Sequence, residues 1–308
     1  METMKAVRIH QYGGPEELKL EDVPRPQPGA DEVLIRVHAA AVNPIDWKIR
    51  AGYVKDFMPV PMPFIPGIDI SGVVEATGPG VTLFKKGDEV FGVGSAGYAA
   101  FAVAKETELA LKPASLDHVH AAAVPVVAST SWQALFKVAG LKAGQKLLVH
   151  GAAGGLGIFA VQFAKAKGAH VIGTASGHHQ CFLRELGVDE PIDYATTKFE
   201  DVAHDVDVVL DTQGGDTQLR SWKVLKKGGV LVSVVQPPPE DEVAKHWIKA
   251  VMLRRQANTG ELSEIAKLVD SGSVKVIVET VLPLSDARRA QELSQAGHVR
   301  GKIVLKVA

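Results

Sequence analysis

Twelve consecutive residues, Lys146-Leu147-Leu148-Val149-His150-Gly151-Ala152-Ala153-Gly154-Gly155-Leu156-Gly157, carry the clearest chemical signal in the chain. An apolar strand runs into a turn crowded with glycine, and a helical run starts at Ile158. Such a turn lets backbone N–H groups approach a pyrophosphate, and the helix start adds a favourable partial positive charge. The atoms that would make this approach belong to Gly151, Ala152, Gly154, Gly155, Leu156 and Gly157. Ala152 stands where the usual first glycine would be, so the spacing is A-x-G-x-x-G. Context supplies what the short pattern lacks. The helical run Ile158 to Lys167 ends at Gly168, and a second apolar strand spans His170 to Ala175, completing a βαβ unit. The expected ligand is a dinucleotide.

The type of dinucleotide is read about 20 residues past the glycines, where an acidic side chain holds the ribose hydroxyls of NAD. That window, Thr174-Ala175-Ser176-Gly177-His178-His179, holds no Asp or Glu. Ser176 can donate to a 2′-phosphate, and His179 or Arg184 can add positive charge. NADPH is therefore expected rather than NADH. The segment Asp211-Thr212-Gln213-Gly214-Gly215 follows another apolar strand, and Val234 to Gln236 follows the next. Ligands of open α/β sheets sit at such strand ends, so Gln213 and Val234 join the candidate cofactor contacts.

These residues need a frame. With 308 residues, 46% of them hydrophobic, the chain can bury two domain cores. A formal net charge of −1 gives no reason to expect nucleic acid or an anionic membrane as partner. Proline or charge interrupts every long apolar stretch, so no membrane-spanning helix is expected. The start Met1-Glu2-Thr3-Met4-Lys5 does not read as a secretion signal, and a cytoplasmic enzyme is expected. A single cysteine, Cys181, rules out an internal disulfide and a cysteine-based zinc site.

Residues 1 to about 115 read as short strands, such as Lys5 to His10, Glu32 to Ala39, Ile70 to Ala76 and Glu89 to Val93, separated by Gly/Pro turns. The proline-rich piece Met58 to Pro66 reads as a constrained loop. A helical pattern runs from Leu116 to Val138 across Pro125. Strands at 146–150, 170–175, 191–193, 206–210 and 230–235 then alternate with helical runs such as Phe182 to Leu186 and Gln218 to Leu225. This alternation predicts a doubly wound parallel sheet. Pro237-Pro238-Pro239 and the acidic residues after it read as an exposed loop. The tail offers strands at 276–282 and 302–307 around a helix from Ser285, its expected N-cap, to Ala296.

Five motifs occur in one order: Asn43-Pro44-Ile45-Asp46, Pro66-Gly67-Ile68-Asp69-Ile70-Ser71-Gly72, Lys86-Gly87-Asp88-Glu89-Val90-Phe91-Gly92, the glycine turn, and Gly301-Lys302-Ile303-Val304-Leu305. Together they resemble the medium-chain dehydrogenase/reductase superfamily along essentially the whole chain, and most closely its zinc-free quinone oxidoreductase (zeta-crystallin-like) branch. The resemblance implies an α/β fold with a GroES-like β-rich catalytic domain, residues 1–124 completed by 268–308, and a Rossmann doubly wound cofactor domain at 125–267. It implies a homodimer. Where zinc members carry a ligand cysteine this chain has Asn43, and where they carry His-Glu it has Ile68-Asp69. No metal is expected.

Without an electrophilic metal, acceptors that spread negative charge by conjugation suit the site best: quinones and α,β-unsaturated carbonyls. The resemblance makes Tyr53 a substrate contact and candidate proton donor. It makes Asn43 an amide donor near the vacated zinc position, facing both substrate and cofactor. Asp46 is expected to brace its loop. By the same resemblance Thr130 touches the nicotinamide side, Tyr194 the adenosine phosphate, and Lys302 the cofactor. The competing expectation is a non-catalytic NADPH-binding protein, redox-sensing or structural, on the same fold.

Overall fold

The computed structural model describes residues 2–240, 243 and 248–308. The chain divides into two compact units, one of residues 1–126 with 257–308 and one of residues 127–256. Asp241 and Glu242, the acidic residues after the prolines, lie outside the described residues.

The first unit is β-rich. It holds β1 (Thr3–Arg8), β2 (Lys19–Pro24), β3 (Glu32–Val42), β4 (Asp69–Thr77), β5 (Glu89–Val93), β6 (Phe101–Lys105) and β7 (Leu109–Leu111), and, from the end of the chain, β14 (Val278–Pro283) and β15 (Lys302–Lys306). β1 and β2 pair with each other; the remaining strands form a mixed sheet ordered β14-β15-β3-β4-β5-β7, with β6 also on β3. β3 is eleven residues of mainly Val, Ile and Ala, nearly all buried, as a strand with neighbours on both sides requires. Its Val33, Ile35 and Val37 meet Ile70, Val74, Val90 and Leu305 in the main core of the unit. Among the described residues, four α-helices lie wholly in this unit: α1 (Pro44–Arg50), α2 (His118–Ala122), and, late in the chain, α7 (Thr259–Asp270) and α8 (Ala287–Ala296).

The second unit is a parallel α/β layer. The chain enters it through α3 (Pro125–Trp132) and continues as β8 (Lys146–His150), α4 (Gly155–Ala166), β9 (His170–Ala175), α5 (Gln180–Leu186), β10 (Glu190–Asp193), β11 (Val206–Asp211), α6 (Gly215–Ser221), β12 (Leu225–Ser233) and β13 (Lys249–Met252). The strands lie in the order β10-β9-β8-β11-β12-β13, all parallel. This is the doubly wound order in which the first strand of the sheet sits beside the fourth, leaving a crevice at their carboxyl ends. Every residue of β11 is buried, the pattern of a strand covered on both faces.

Several expected boundaries move. The second crossover between units falls at 256/257, earlier than 267/268. α7 buries Leu262, Ile265, Ala266 and Val269, one face at helical spacing. It is fastened to the first unit where Thr259 Oγ1 donates to the Glu106 carbonyl (3.1 Å) and the Asp270 carboxylate accepts from Ser115 N–H (2.9 Å). The helix expected over 218–225 ends at Ser221, because Trp222, Val224 and Leu225 join the core beside β11. In the tail, residues 284–286 form one 3₁₀ turn, and Asp286 rather than Ser285 precedes α8.

Candidate functional site

In the second unit, the glycine turn joins the end of β8 to the start of α4. Gly151 has φ +68°, a left-handed conformation, and a Cβ there would meet Thr212 Oγ1 and Gln213 Nε2 at 2.7 Å. A Cβ on Gly157 would lie 2.3 Å from the Gly151 carbonyl oxygen and 2.6 Å from Ala152 Cα, so only glycine lets α4 come this close to the strand end. Gly154 precedes the helix with extended φ and ψ, and the first intrahelical bond runs from Ile158 N–H to the Gly154 carbonyl (3.0 Å). The N–H groups of Gly155, Leu156 and Gly157 therefore belong to the first turn, which has no acceptors of its own within a helix.

Polar groups below the turn hold it in shape. Ala152 N–H donates to the Thr174 carbonyl (2.9 Å), and Gly151 N–H to Thr174 Oγ1 (3.3 Å). The hydroxyl of Ser221 is spent on the Thr217 carbonyl (2.7 Å), so at the 2.9 Å contact His150 Nε2 must donate to it. His150 Nδ1 is then left to accept from Thr174 Oγ1 at 3.2 Å. This neutral tautomer agrees with burial, which pushes the His150 imidazole down to about 4. Across the crevice, Thr212 Oγ1 donates to the His150 carbonyl (2.7 Å) and ties the end of β11 to β8.

Asp211 organises the adjacent loop. Oδ1 accepts from the N–H groups of Gln213 (2.9 Å) and Gly214 (2.8 Å), while Oδ2 accepts from Gln218 Nε2 (2.9 Å) and Ser233 Oγ (3.0 Å). Val234 N–H donates to its carbonyl (3.1 Å). The loop bearing Gln213 and the one bearing Val234 are thus held by one buried carboxylate, which the sequence reading passed over. An acid closing the apolar run Val208 to Leu210 was the available signal.

At the end of β9, the imidazole beside Ser176 Oγ is that of His178 (Nε2, 3.4 Å), while His179 is buried with its ring centroid 3.9 Å from that of His178. Exposed Tyr194 is attached to the same strand end through its N–H on the Ala175 carbonyl (3.2 Å). The Asp193 carboxylate also faces this corner: a Cβ on Gly177 would lie 2.7 Å from its Oδ2. Thr130 is buried in α3, next to Ser131, whose hydroxyl lies 2.7 Å from the Val127 carbonyl and 2.9 Å from the Leu156 carbonyl.

The first unit gathers a second polar cluster. Asn43 precedes α1, Pro44 starts the helix, and Asp46 Oδ2 accepts the Asn43 N–H (2.9 Å) as a cap. The same oxygen accepts from Tyr98 Oη (3.0 Å). Asp46 braces its loop from a fully buried position, and burial pushes its carboxyl up to about 6 despite these two donors. Burial and the neighbouring Asp46 also hold the Tyr98 phenol well above its ordinary range. The Asn43 side chain donates through Nδ2 to Asp69 Oδ2 (2.8 Å) and accepts at Oδ1 from Lys302 Nζ (2.6 Å), which also lies 3.4 Å from Asp69 Oδ2. Asp69 Oδ1 takes the Val126 N–H (2.8 Å). Lys302, expected at the cofactor, thus has its ammonium turned onto Asn43 and Asp69.

Tyr53 is not part of this cluster. It follows α1, a helix about 10 Å long at 1.5 Å per residue, is 68% exposed, and sets its ring edge-on against Trp47 at 5.6 Å. Among the described residues no three His, Cys, Asp or Glu side chains converge as a metal ion requires, and no helix is long and apolar enough to cross a membrane.

Two family models match the chain: an alcohol dehydrogenase GroES-like domain over residues 29–114 and a zinc-binding dehydrogenase over 186–305. The chloroplast envelope quinone oxidoreductase homolog of Arabidopsis thaliana is 34% identical, with 98% of each chain covered. Among solved structures, the quinone oxidoreductase from Coxiella burnetii is similar along 100% of both chains, with 35% identity and a TM-score of 0.92. A mycobacterial protein solved in complex with NADPH matches 99% of this chain and 100% of its own, at 29% identity and a TM-score of 0.91.

Proposed function

The chain belongs to the quinone oxidoreductase branch of the medium-chain dehydrogenase/reductase superfamily, an oxidoreductase family, and on that premise we propose that it reduces quinones and α,β-unsaturated carbonyls with NADPH and without zinc. The observation that carries the reading is the turn Gly151–Gly157. Gly151 and Gly157 are required by contacts of 2.3–2.7 Å that a side chain could not make, and the strand-end supports of the turn are buried and hydrogen-bonded. A dinucleotide pyrophosphate fits that cradle.

NADPH is preferred for the hydroxyl of Ser176 and the imidazole of His178, which stand together at the end of β9 and can both donate to a 2′-phosphate. The NADPH complex of the mycobacterial neighbour supports this choice. Asp193 works against it, because a carboxylate repels a phosphate. Two donors, Ser176 Oγ and the His178 imidazole, stand against this one carboxylate just past the end of β9.

The first unit does not fit a catalytic zinc, although one matching family model bears that name. Asn43 and Ile68 replace ligand types, and an ammonium already sits 2.6 Å from the Asn43 oxygen. A cation in that place leaves no room or charge for a second one.

When bound, the reduced nicotinamide supplies a hydride. The residues proposed to serve the acceptor are Asn43, whose amide N–H stabilises the oxygen that gains charge, and Tyr53, whose exposed hydroxyl delivers a proton. Conjugated acceptors need the least of such help, because charge is delocalised as it forms. Initial rates with NADPH and with NADH, against a panel of quinones, enones, aldehydes and simple ketones, test the proposal. Turnover of quinones or enones with a lower KM for NADPH is expected. Binding of NADPH without its oxidation anywhere in the panel would replace this reading by a non-catalytic one, and a stoichiometric zinc in the purified protein would refute the metal-free site.

A further inference from the structure

We propose that Lys302 is a positioning residue that locks the Asn43 carboxamide in one orientation, so that a single amide N–H is left to meet the substrate oxygen. The inference rests on the reading of Asn43 given above.

The register of the sheet brings the two together. β15 runs antiparallel to β3 with Ile303 opposite Val42, so Lys302 is delivered beside Asn43, 259 residues away in the chain. An ammonium has hydrogens and no acceptor, so the Asn43 atom it faces at 2.6 Å is the carbonyl oxygen. The amide nitrogen then faces Asp69 Oδ2 at 2.8 Å, where it donates. Flipping the carboxamide would set its NH₂ against an ammonium and its oxygen against a carboxylate, two repulsions in place of two hydrogen bonds. Asn43 has two amide hydrogens; one is fixed on Asp69 and the other is left over, aimed by the first.

Burial sharpens the effect. Asn43, Asp69 and Lys302 are 3%, 0% and 4% exposed. In such surroundings each charge needs the other, and a donor held by both acts without reorganising. Lys302 thereby does through Asn43 what its sequence position gave no hint of.

The test is a double-mutant cycle with Lys302→Met, Asn43→Ala and the pair, read by kcat for NADPH-dependent quinone reduction and by the Kd of NADPH from fluorescence titration. Each single variant is expected to lose about 10²-fold in kcat with the Kd unchanged, and the double variant to be no slower than Asn43→Ala alone. Multiplying losses, or a weakened Kd with kcat intact, would overturn the inference. Should Lys302→Met alone fail to fold, Lys302→Met/Asp69→Asn removes both charges together; it is expected to fold and stay slow, and a normal kcat would sink the idea. If the wild type oxidises no NADPH, the functional reading fails by itself, and the orientation of Asn43 is then read by NMR. Its two side-chain amide protons should be widely split and protected from exchange in the wild type, and lose both properties in whichever of these Lys302 variants folds. No change on substitution would overturn the positioning role.

Discussion

Asp46 keeps its proton at a pH where exposed aspartates have lost theirs. Its carboxyl rises from 3.8 to about 6 because it is buried, so between those values the folded chain binds more protons than the unfolded one. Its contribution to stability is whole below 3.8 and is lost as the pH climbs through about 6. His150 has the opposite slope: lowered from 6.5 to about 4, it leaves the unfolded chain with more protons in that window, so stability is lost as the pH falls. Asp46→Asn, which keeps an acceptor for Tyr98, should remove the alkaline-going loss in urea melts taken from pH 4 to 7. A melt series with the wild-type slope would show that Asp46 is ionised throughout. Tyr53→Phe is expected to cut kcat at least tenfold with the NADPH Kd unchanged; an unaltered rate would take the hydroxyl out of the mechanism. At this scale the sequence is unevenly legible. The brace role of Asp46 followed from its place after Asn43-Pro44, but its partner Tyr98 lies 52 residues beyond it and Lys302, the partner of Asn43, lies 259 residues beyond Asn43, so no local pattern could name them. Spacing cannot tell which of the adjacent His178 and His179 turns inward; it is His179 that is buried and His178 that stands beside Ser176.

Two elements depend on single residues. α1 is anchored by Arg50, whose buried guanidinium donates through Nε to Gln291 Oε1 (2.7 Å), through Nη2 to Gln295 Oε1 (3.0 Å) and through Nη1 to the Gly13 carbonyl (2.7 Å). It joins α1 to α8 and to the loop after β1. Arg50→Met should cost about 2–4 kcal/mol, since hydrogen bonds to a charged group are worth about 1.5–3 kcal/mol each and do not add fully; a urea midpoint unchanged from the wild type would contradict this. α4 depends on Gly157. Gly157→Ala places a methyl against the backbone of Gly151 and Ala152, so the helix must move away from the turn, at about 1–3 kcal/mol and at least a tenfold loss of NADPH affinity. Calorimetric titration measures the second figure, and wild-type affinity would show that the turn is not the cradle. The βαβ unit around this glycine was legible because strand, turn and helix follow one another without a break. α7 also had a readable stripe, Leu262, Ile265, Ala266 and Val269, yet it was not recognised, and its docking to residues 106–115 is a tertiary fact that periodicity does not contain.

The two units place their buried titrating groups in opposition. Asp46 lies in the first and His150 in the second, so acid favours one and disfavours the other. Hydrogen exchange followed by mass spectrometry, corrected for intrinsic rates, should show peptides of 146–175 losing protection between pH 7 and pH 5 while those of 32–77 gain it. Parallel changes in both sets would refute the opposition. The division itself was visible as a shift from Gly/Pro-punctuated strands to alternating strands and helices, whereas the crossing at 256/257 rests on hydrogen bonds made by Thr259 and Asp270. One more consequence comes from β15, which is inserted between β14 and β3 although it is the last strand to be synthesised. A ribosome can complete the glycine turn and much of the nucleotide sheet while Asn43 and Asp69 still await their ammonium. On the role proposed for Lys302, a chain that ends before β15 would carry the nucleotide cradle without the charge that orients Asn43, and would reduce its acceptor more slowly than the finished protein.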